Sequence, residues 1–319
     1  MDAPKSFRIA DRLNNKWEQF HDSGEITLRP QPLLTATDKV FTIGSCFANN
    51  VRDALQACGI KCLPDYDRIS GYDQTRMYIG LQQSNMHMSH FNTYTILQEF
   101  ERAAGLWTQA PNDYWLWTRQ SPYAPQPTYQ DPYHRLVGGI TPDALHEVQA
   151  RINGAMKEGF EAATAFFMTF GMTEVFRQKS NGRIVGQKPL YCGGAGLEET
   201  ELYQSTYEDN YRNIARSIDI IRAQKPNAKI VISVSPIALA RTFSDGDIAL
   251  ASMEGKSILR AAAGQIARDY PGVLYFPSYD LISYDRAHAF EPDGRHVEMD
   301  YVKRVINAFV DAYVAKEAS

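Results

Sequence analysis

The chain has 319 residues, 44% of them hydrophobic and 22% charged, with a formal net charge of −4 at pH 7. That length gives room for one large α/β domain or two smaller ones with a sizeable core. The acidic balance argues against a nucleic-acid binder, whose surface is ordinarily basic, though a local basic patch is compatible with it.

Residues 1–37 read as an N-terminal arm, because Pro30 and Pro32 favour an extended connection. The arm has no continuous apolar run of signal-peptide type, and no stretch of the chain approaches the ~18 apolar residues of a membrane span. The expectation is a cytoplasmic protein with no membrane span. Residues 38–319 are expected to form a single body.

That body begins with the apolar run Val40 to Ile43, which predicts a buried strand, and turns at Gly44-Ser45. Phe47, Val51, Ala54, Leu55 and Cys58 then fall at helical spacing. Ser45 therefore stands where a strand hands over to a helix. In a parallel sheet this is the edge where ligands bind. A helix N-terminus also offers free N–H groups and a positive partial charge. Taken alone, Ser45 reads first as a helix cap, since capping serines far outnumber catalytic ones. Cys46 is a rival nucleophile, since a thiol at a helix start is acidified; as the next residue it is expected to point elsewhere and pack. The helix is expected to end near Gly59, with a short strand over Ile60 to Leu63. The four cysteines, Cys46, Cys58, Cys62 and Cys192, lack paired zinc spacing and read as reduced thiols.

Further on, Ile96, Leu97, Phe100 and Ala104 make a helical face, with Thr93 or Thr95 as its cap. Asn92 just before it has two readings, a helix cap or an amide donor into a cleft. His90 reads as a packing or surface histidine. Residues 105–160 are expected to be an insertion, rich in aromatics at first: Trp107, Trp115, Trp117, Tyr123, Tyr129, then Asp131-Pro132-Tyr133-His134-Arg135. Long irregular segments inside compact domains are usually functional. These rings either wall a substrate cleft, stacking on a sugar, or pack as a hydrophobic flap. Thr141 to Gly159 has helical spacing.

Ala163 to Phe170 predicts a second buried strand, ending in Gly171-Met172-Thr173-Glu174. Gly182 to Tyr191 suggests a hairpin. Gly193, Gly194 and Gly196 neither follow a parallel strand nor open a helix, so they are not a dinucleotide fingerprint. Helices are expected over Tyr207 to Gln224, Ile248 to Asp269 and Asp300 to Val314, with strands over Lys229 to Val234 and Val273 to Phe276. Strands alternating with helices predict right-handed βαβ units and a mostly parallel sheet. Between the last strand and the last helix lies Glu291-Pro292-Asp293-Gly294-Arg295-His296. An Asp three residues before a His lets one turn supply an imidazole and the carboxylate that orients it, though taken alone the spacing is common and reads as a surface loop.

Gly44-Ser45-Cys46-Phe47-Ala48, combined with the late Asp293-x-x-His296, resembles the GSCFA family, a branch of the SGNH (GDSL-like) serine hydrolases. The resemblance runs from about Val40 to the C-terminus. It implies a three-layer α/β/α, flavodoxin-like fold carrying an aromatic-rich insertion. It also implies Ser45 as nucleophile, His296 as base and Asp293 as its orienting acid, with no metal or organic cofactor. Gly171-Met172-Thr173-Glu174 falls where the wider group carries Gly-x-Asn-Asp, so the usual asparagine donor is Thr173 here, and a second-block glycine is missing. Asn92, the Gly171 region, Thr173 and the Ser45 N–H become the candidate oxyanion donors. The implied reaction is hydrolysis of a small-molecule or glycan ester through an acyl-serine. The alternatives are acyl transfer to a sugar hydroxyl by the same triad and a weakly active glycan-binding module. The sequence leaves substrate and oligomeric state open.

Overall fold

The computed structural model describes residues 17, 26, 28–79, 88–117, 128–186 and 194–315. From the amino end, strand β1 (Lys39–Ile43) leads into helix α1 (Cys46–Ala57), β2 (Lys61–Leu63) and the short α2 (Asp67–Ser70). Then come β3 (Met77–Ile79), α3 (Thr93–Ala103), β4 (Trp115–Trp117), β5 (Thr128–Gln130) and β6 (Val137–Gly139). Helix α4 (Pro142–Ala162) precedes β7 (Ala165–Phe170), β8 (Glu174–Gln178), α5 (Gly194–Glu198) and β9 (Thr200–Gln204). The remainder is α6 (Tyr207–Gln224), β10 (Lys229–Val234), α7 (Ile248–Asp269), β11 (Val273–Phe276), α8 (Ser278–Tyr284), α9 (Arg286–Ala289) and α10 (Met299–Tyr313).

Five strands make the central sheet in the order β2-β1-β7-β10-β11, every pair parallel. Phe41, Ile43, Phe166, Met168 and Ile232 face one side and pack on α3, α4, α6 and α7. Val40, Ala165, Phe167 and Val231 face the other and pack on α1, α8 and α10. A sheet covered on both faces needs apolar residues at nearly every strand position, which is why these strands read as continuous apolar runs. The result is the expected three-layer α/β/α fold of flavodoxin-like order. Its chain order reverses between β1 and β7, and the crevice at their carboxyl ends is where such sheets bind ligands.

A four-stranded antiparallel sheet, β3-β6-β5-β4, carries the aromatic segment and packs against the same core through Met77, Ile79 and Val137. The expected insertion over 105–160 therefore divides. Its first part forms strands of this second sheet, whereas α4 belongs to the three-layer core, burying Ile152, Met156 and Phe160. The arm is tied down at its end: Leu33 and Leu34 donate backbone N–H groups to Tyr313 O, and Leu34 is buried. The expected hairpin over Gly182 to Tyr191 falls partly outside the described residues; β8 pairs instead with β9. Gly194, not expected to open a helix, begins the five-residue α5, though not after a parallel strand.

Candidate active site

The turn after β1 is built by Gly44, whose φ is +149°. A Cβ there would lie 2.4 Å from Thr169 Cγ2 and 2.6 Å from Thr169 O. Only glycine lets the end of β1 run this close to β7, and the next residue, Ser45, is thereby delivered to the crevice between them. Ser45 occupies the N-cap position of α1 in extended conformation, but its side chain makes no capping hydrogen bond. Its Oγ is buried and has no hydrogen-bond partner. The capping role that the serine's position alone favoured is not what this hydroxyl does, and a buried polar atom left without a partner calls for another explanation.

Ser45 lines a cleft of about 340 Å³ at the carboxyl edge of the sheet. Phe91, Gly171 and Ser235 share its wall, as do the apolar stretch Ile237 to Ala240 and three polar side chains, Arg135, Arg295 and His296. Cys46 also faces the cleft rather than packing away, because it is the first helical residue directly above the strand end.

His296 and Asp293 do not follow β11 directly; α8 and α9 intervene, and an isolated bridge between Phe290 and Val297 closes the loop that carries them. Inside it, the N–H groups of Arg295 and His296 both donate to Asp293 Oδ1 at 2.9 Å, and these two bonds hold the Asp293 carboxyl down at about 2. Asp293 Oδ2 lies 2.5 Å from His296 Nδ1. Arg295 Nη1 lies 2.6 Å from His296 Nε2. A guanidinium only donates, so Nε2 accepts and the ring proton of a neutral His296 sits on Nδ1, facing Asp293. That is the tautomer a general base requires. Glu291, Asp293 and His296 also hold their ligand atoms within 4.8 Å of one another, in exposed positions. A cation held there would occupy the nitrogen and carboxylate of the same pair.

The candidate oxyanion donors lie in different places. Gly171 lines the cleft, but its N–H and that of Met172 both donate to Phe91 O at 2.9 Å. Thr173 is buried, with its hydroxyl turned to α7; a Cβ on Gly255 would sit 2.6 Å from Thr173 Oγ1. Asn92 is the N-cap of α3, and its Oδ1 accepts from Thr95 N–H at 2.9 Å. That leaves the Asn92 amide NH2 as its donor. The backbone at Ser45 stays on the cleft wall.

Three contributions were not singled out from sequence. Arg135 enters the cleft from the Asp131–Arg135 loop. Ser235 arrives from the carboxyl end of β10, with its N–H on Phe170 O. Lys256 on α7 is buried and donates to Gly171 O at 2.7 Å, bracing the turn after β7, and burial pushes its ammonium down to about 7. Of the aromatic segment, Trp107 is held between Arg102 and Arg183, 4.7 and 3.9 Å from its ring, and Trp115 is buried beside Val185 and Phe176. Neither ring reaches the cleft. Cation–π contacts and burial draw both inward, as in the packed-flap reading.

A second acid–histidine group is buried next to Arg135 in the chain. His134 Nδ1 meets Asp131 Oδ2 at 2.7 Å and its Nε2 meets Glu99 Oε1 at 3.1 Å, with Arg102 also on Glu99. Burial alone would depress His134, but the two carboxylates outweigh it and lift the ring to about 9.

Fold and cleft together define a parallel α/β protein that presents a serine and a carboxylate-oriented histidine at its topological switch point. The chain belongs to the GSCFA family, which matches residues 39–309. Among solved structures it is similar to a Clostridium thermocellum family 3 carbohydrate esterase, at 12% identity and a TM-score of 0.34 over 88% of this chain and 95% of that one. So low a score carries no inference about activity. A comparison with curated proteins found no match. No helix among the described residues is long and apolar enough to cross a membrane.

Proposed function

We propose that the protein is a serine esterase of the SGNH type, with Ser45 as nucleophile, His296 as general base and acid, and Asp293 as the group that orients His296. The observation that carries this reading is the Ser45 hydroxyl: buried, uncapped and without a partner, it shares a cleft with an imidazole whose Nε2 is its accepting nitrogen. His296 Nε2 takes the proton from Ser45 Oγ as the oxygen attacks the ester carbonyl. The tetrahedral oxyanion is held by the Ser45 N–H and the α1 N-terminus, with the Asn92 amide as a further donor. His296 returns its proton to the leaving alcohol, and water then hydrolyses the acyl-serine by the reverse use of the same nitrogen. In the resting protein Arg295 holds Nε2, so it swings aside before the proton moves; catalytic hydrogen bonds often form only once substrate is bound.

A stopped-flow burst tests this. With 4-nitrophenyl acetate, about one equivalent of nitrophenol per protein is expected in the first turnover. Ser45→Ala abolishes the burst and Cys46→Ala keeps it. The reverse pattern assigns the nucleophile to Cys46.

A further inference from the structure

The cleft combines two guanidinium groups with no carboxylate among the described residues that line it. Arg135 has no acidic partner among the described residues, and its guanidinium lies 5.8 Å from the Phe91 ring. Arg295 spends one N–H on His296 Nε2, and its buried Nε has no hydrogen-bond partner. Other arginines at comparable depth have their donors taken up, Arg102 by Glu99, Arg183 by Glu101, Arg260 by Asp280, and Arg52 by the Pro64 and Cys62 carbonyls. The protein as a whole carries a net charge of −4, so the two cleft arginines are not part of a generally basic surface. Arginine presents its donors in a planar fork that matches a carboxylate or phosphate, and in a cleft with low-dielectric walls the attraction is focused.

The carrier of Arg135 is rigid. Its loop is pinned by Asp131, whose Oδ1 accepts from Tyr133 N–H at 2.8 Å, and by the buried Asp131–His134–Glu99–Arg102 group. A guanidinium held on such a support loses little freedom when it binds an anion. The opposite wall, Ile237 to Ala240, is apolar.

Resting on the Ser45 esterase reading, we propose that the cleft takes esters bearing an anionic group, which Arg135 and Arg295 bind, and that binding this anion draws Arg295 off His296 Nε2 and frees the base. Arg135 is then a specificity-determining residue. Arg295 is a positioning residue that couples substrate charge to the availability of the imidazole. The anion resides on either the acyl or the alcohol part of the ester, and paired probes distinguish the two.

The test compares kcat/KM for isosteric esters at low salt: mono-4-nitrophenyl adipate against 4-nitrophenyl hexanoate for an acyl-side anion, and 4-acetoxybenzoate against 4-acetoxybenzamide for an alcohol-side anion. One pair is expected to favour its anionic member about tenfold or more, the worth of one charge-assisted contact. Added salt narrows the ratio. Arg135→Gln collapses it towards one, and Arg135→Lys restores part of it. Arg295→Gln changes the two members in opposite directions: the neutral ester gains because Nε2 is no longer held, and the anionic ester loses a ligand. Ratios near one in both wild-type pairs overturn the proposal, as does a ratio that survives both Arg→Gln changes. Equal losses for both members in Arg295→Gln overturn the coupling to His296. Labelling of Ser45 by a fluorophosphonate separates the two failures. A labelled Ser45 with no charge preference removes only this inference; an unlabelled Ser45 with no ester turned over removes the esterase reading with it.

Discussion

The chain contains the same local device at three places, two of which meet opposite fates. Asp131-x-x-His134 and Asp293-x-x-His296 each bring a carboxylate to Nδ1 of a histidine three residues on, at 2.7 and 2.5 Å. His134 is fully buried and faces a second carboxylate, Glu99, on its other nitrogen. Arg102 Nη1 also lies 2.9 Å from that nitrogen, but the two carboxylates outweigh burial and this guanidinium and lift the ring to about 9, which favours the imidazolium at neutral pH. His296 is exposed, has one carboxylate, and turns its other nitrogen to an arginine on the wall of the Ser45 cleft. A third copy, Asp285-x-x-His288, has the more exposed histidine and is not among the described residues that line the cleft. The spacing alone does not orient an imidazole, since His146 of Asp143-x-x-His146 turns its Nε2 to Pro111 O; where it does, burial and a second carboxylate separate the cation at His134 from the base proposed at His296.

Replacing each histidine by glutamine should break this comparison cleanly. In His296→Gln, kcat for an activated ester is expected to fall by about 10⁴-fold with the melting temperature unchanged, because the side chain is exposed and only proton transfer is lost. In His134→Gln the main effect is on folding. Asp131 and Glu99 lose the cation between them, and stranding buried charges costs about 3–5 kcal/mol. Denaturant unfolding and ester turnover on the same two samples check both halves. Comparable turnover losses without destabilisation of His134→Gln would remove the distinction.

A pH series sharpens the same contrast with a smaller effect. The folded value of His134, about 9, lies above the ordinary 6.5. Its contribution to stability is therefore fully present below about pH 6.5 and is lost as pH rises through about 9. Wild-type melting temperature should decline over that window, and His134→Gln should flatten the decline. Asp293, held down at about 2, stays ionised throughout and contributes nothing to that slope.

The smallest expected effect concerns two helix starts. Ser45 and Asn92 both occupy N-cap positions, but only Asn92 caps with its side chain. Asn92→Asp keeps the cap, so stability should hold. If the Asn92 NH2 also donates to the oxyanion, kcat falls while KM stays, since that charge exists only in the transition state. Unchanged kcat would confine Asn92 to capping.

Much of this was legible in the sequence where the signal is local. The central strands and long helices followed from apolar runs and spacing, and short motifs pointed to Ser45, Asp293 and His296 as candidates. The second sheet was missed because its strands are three residues long, too short for a period to show, as in Met77–Ile79 and Val137–Gly139. Whether Ser45 caps its helix depends on where one hydroxyl points, which spacing does not encode. Arg135 lies 90 positions from Ser45 and reaches the cleft only through tertiary contacts, and the sequence marks neither Asp-x-x-His as the buried one. Lys256 looks like any helix lysine until α7 is packed over the turn after β7.

The central claim, that Ser45 is a nucleophile activated by His296, is tested most directly by incubating the protein with a fluorophosphonate and mapping the adduct by mass spectrometry. A single phosphonyl group on Ser45, formed by wild type and His134→Gln but strongly slowed in His296→Gln, is the predicted result. An adduct on another residue, or labelling of Ser45 that proceeds equally fast without His296, would contradict it.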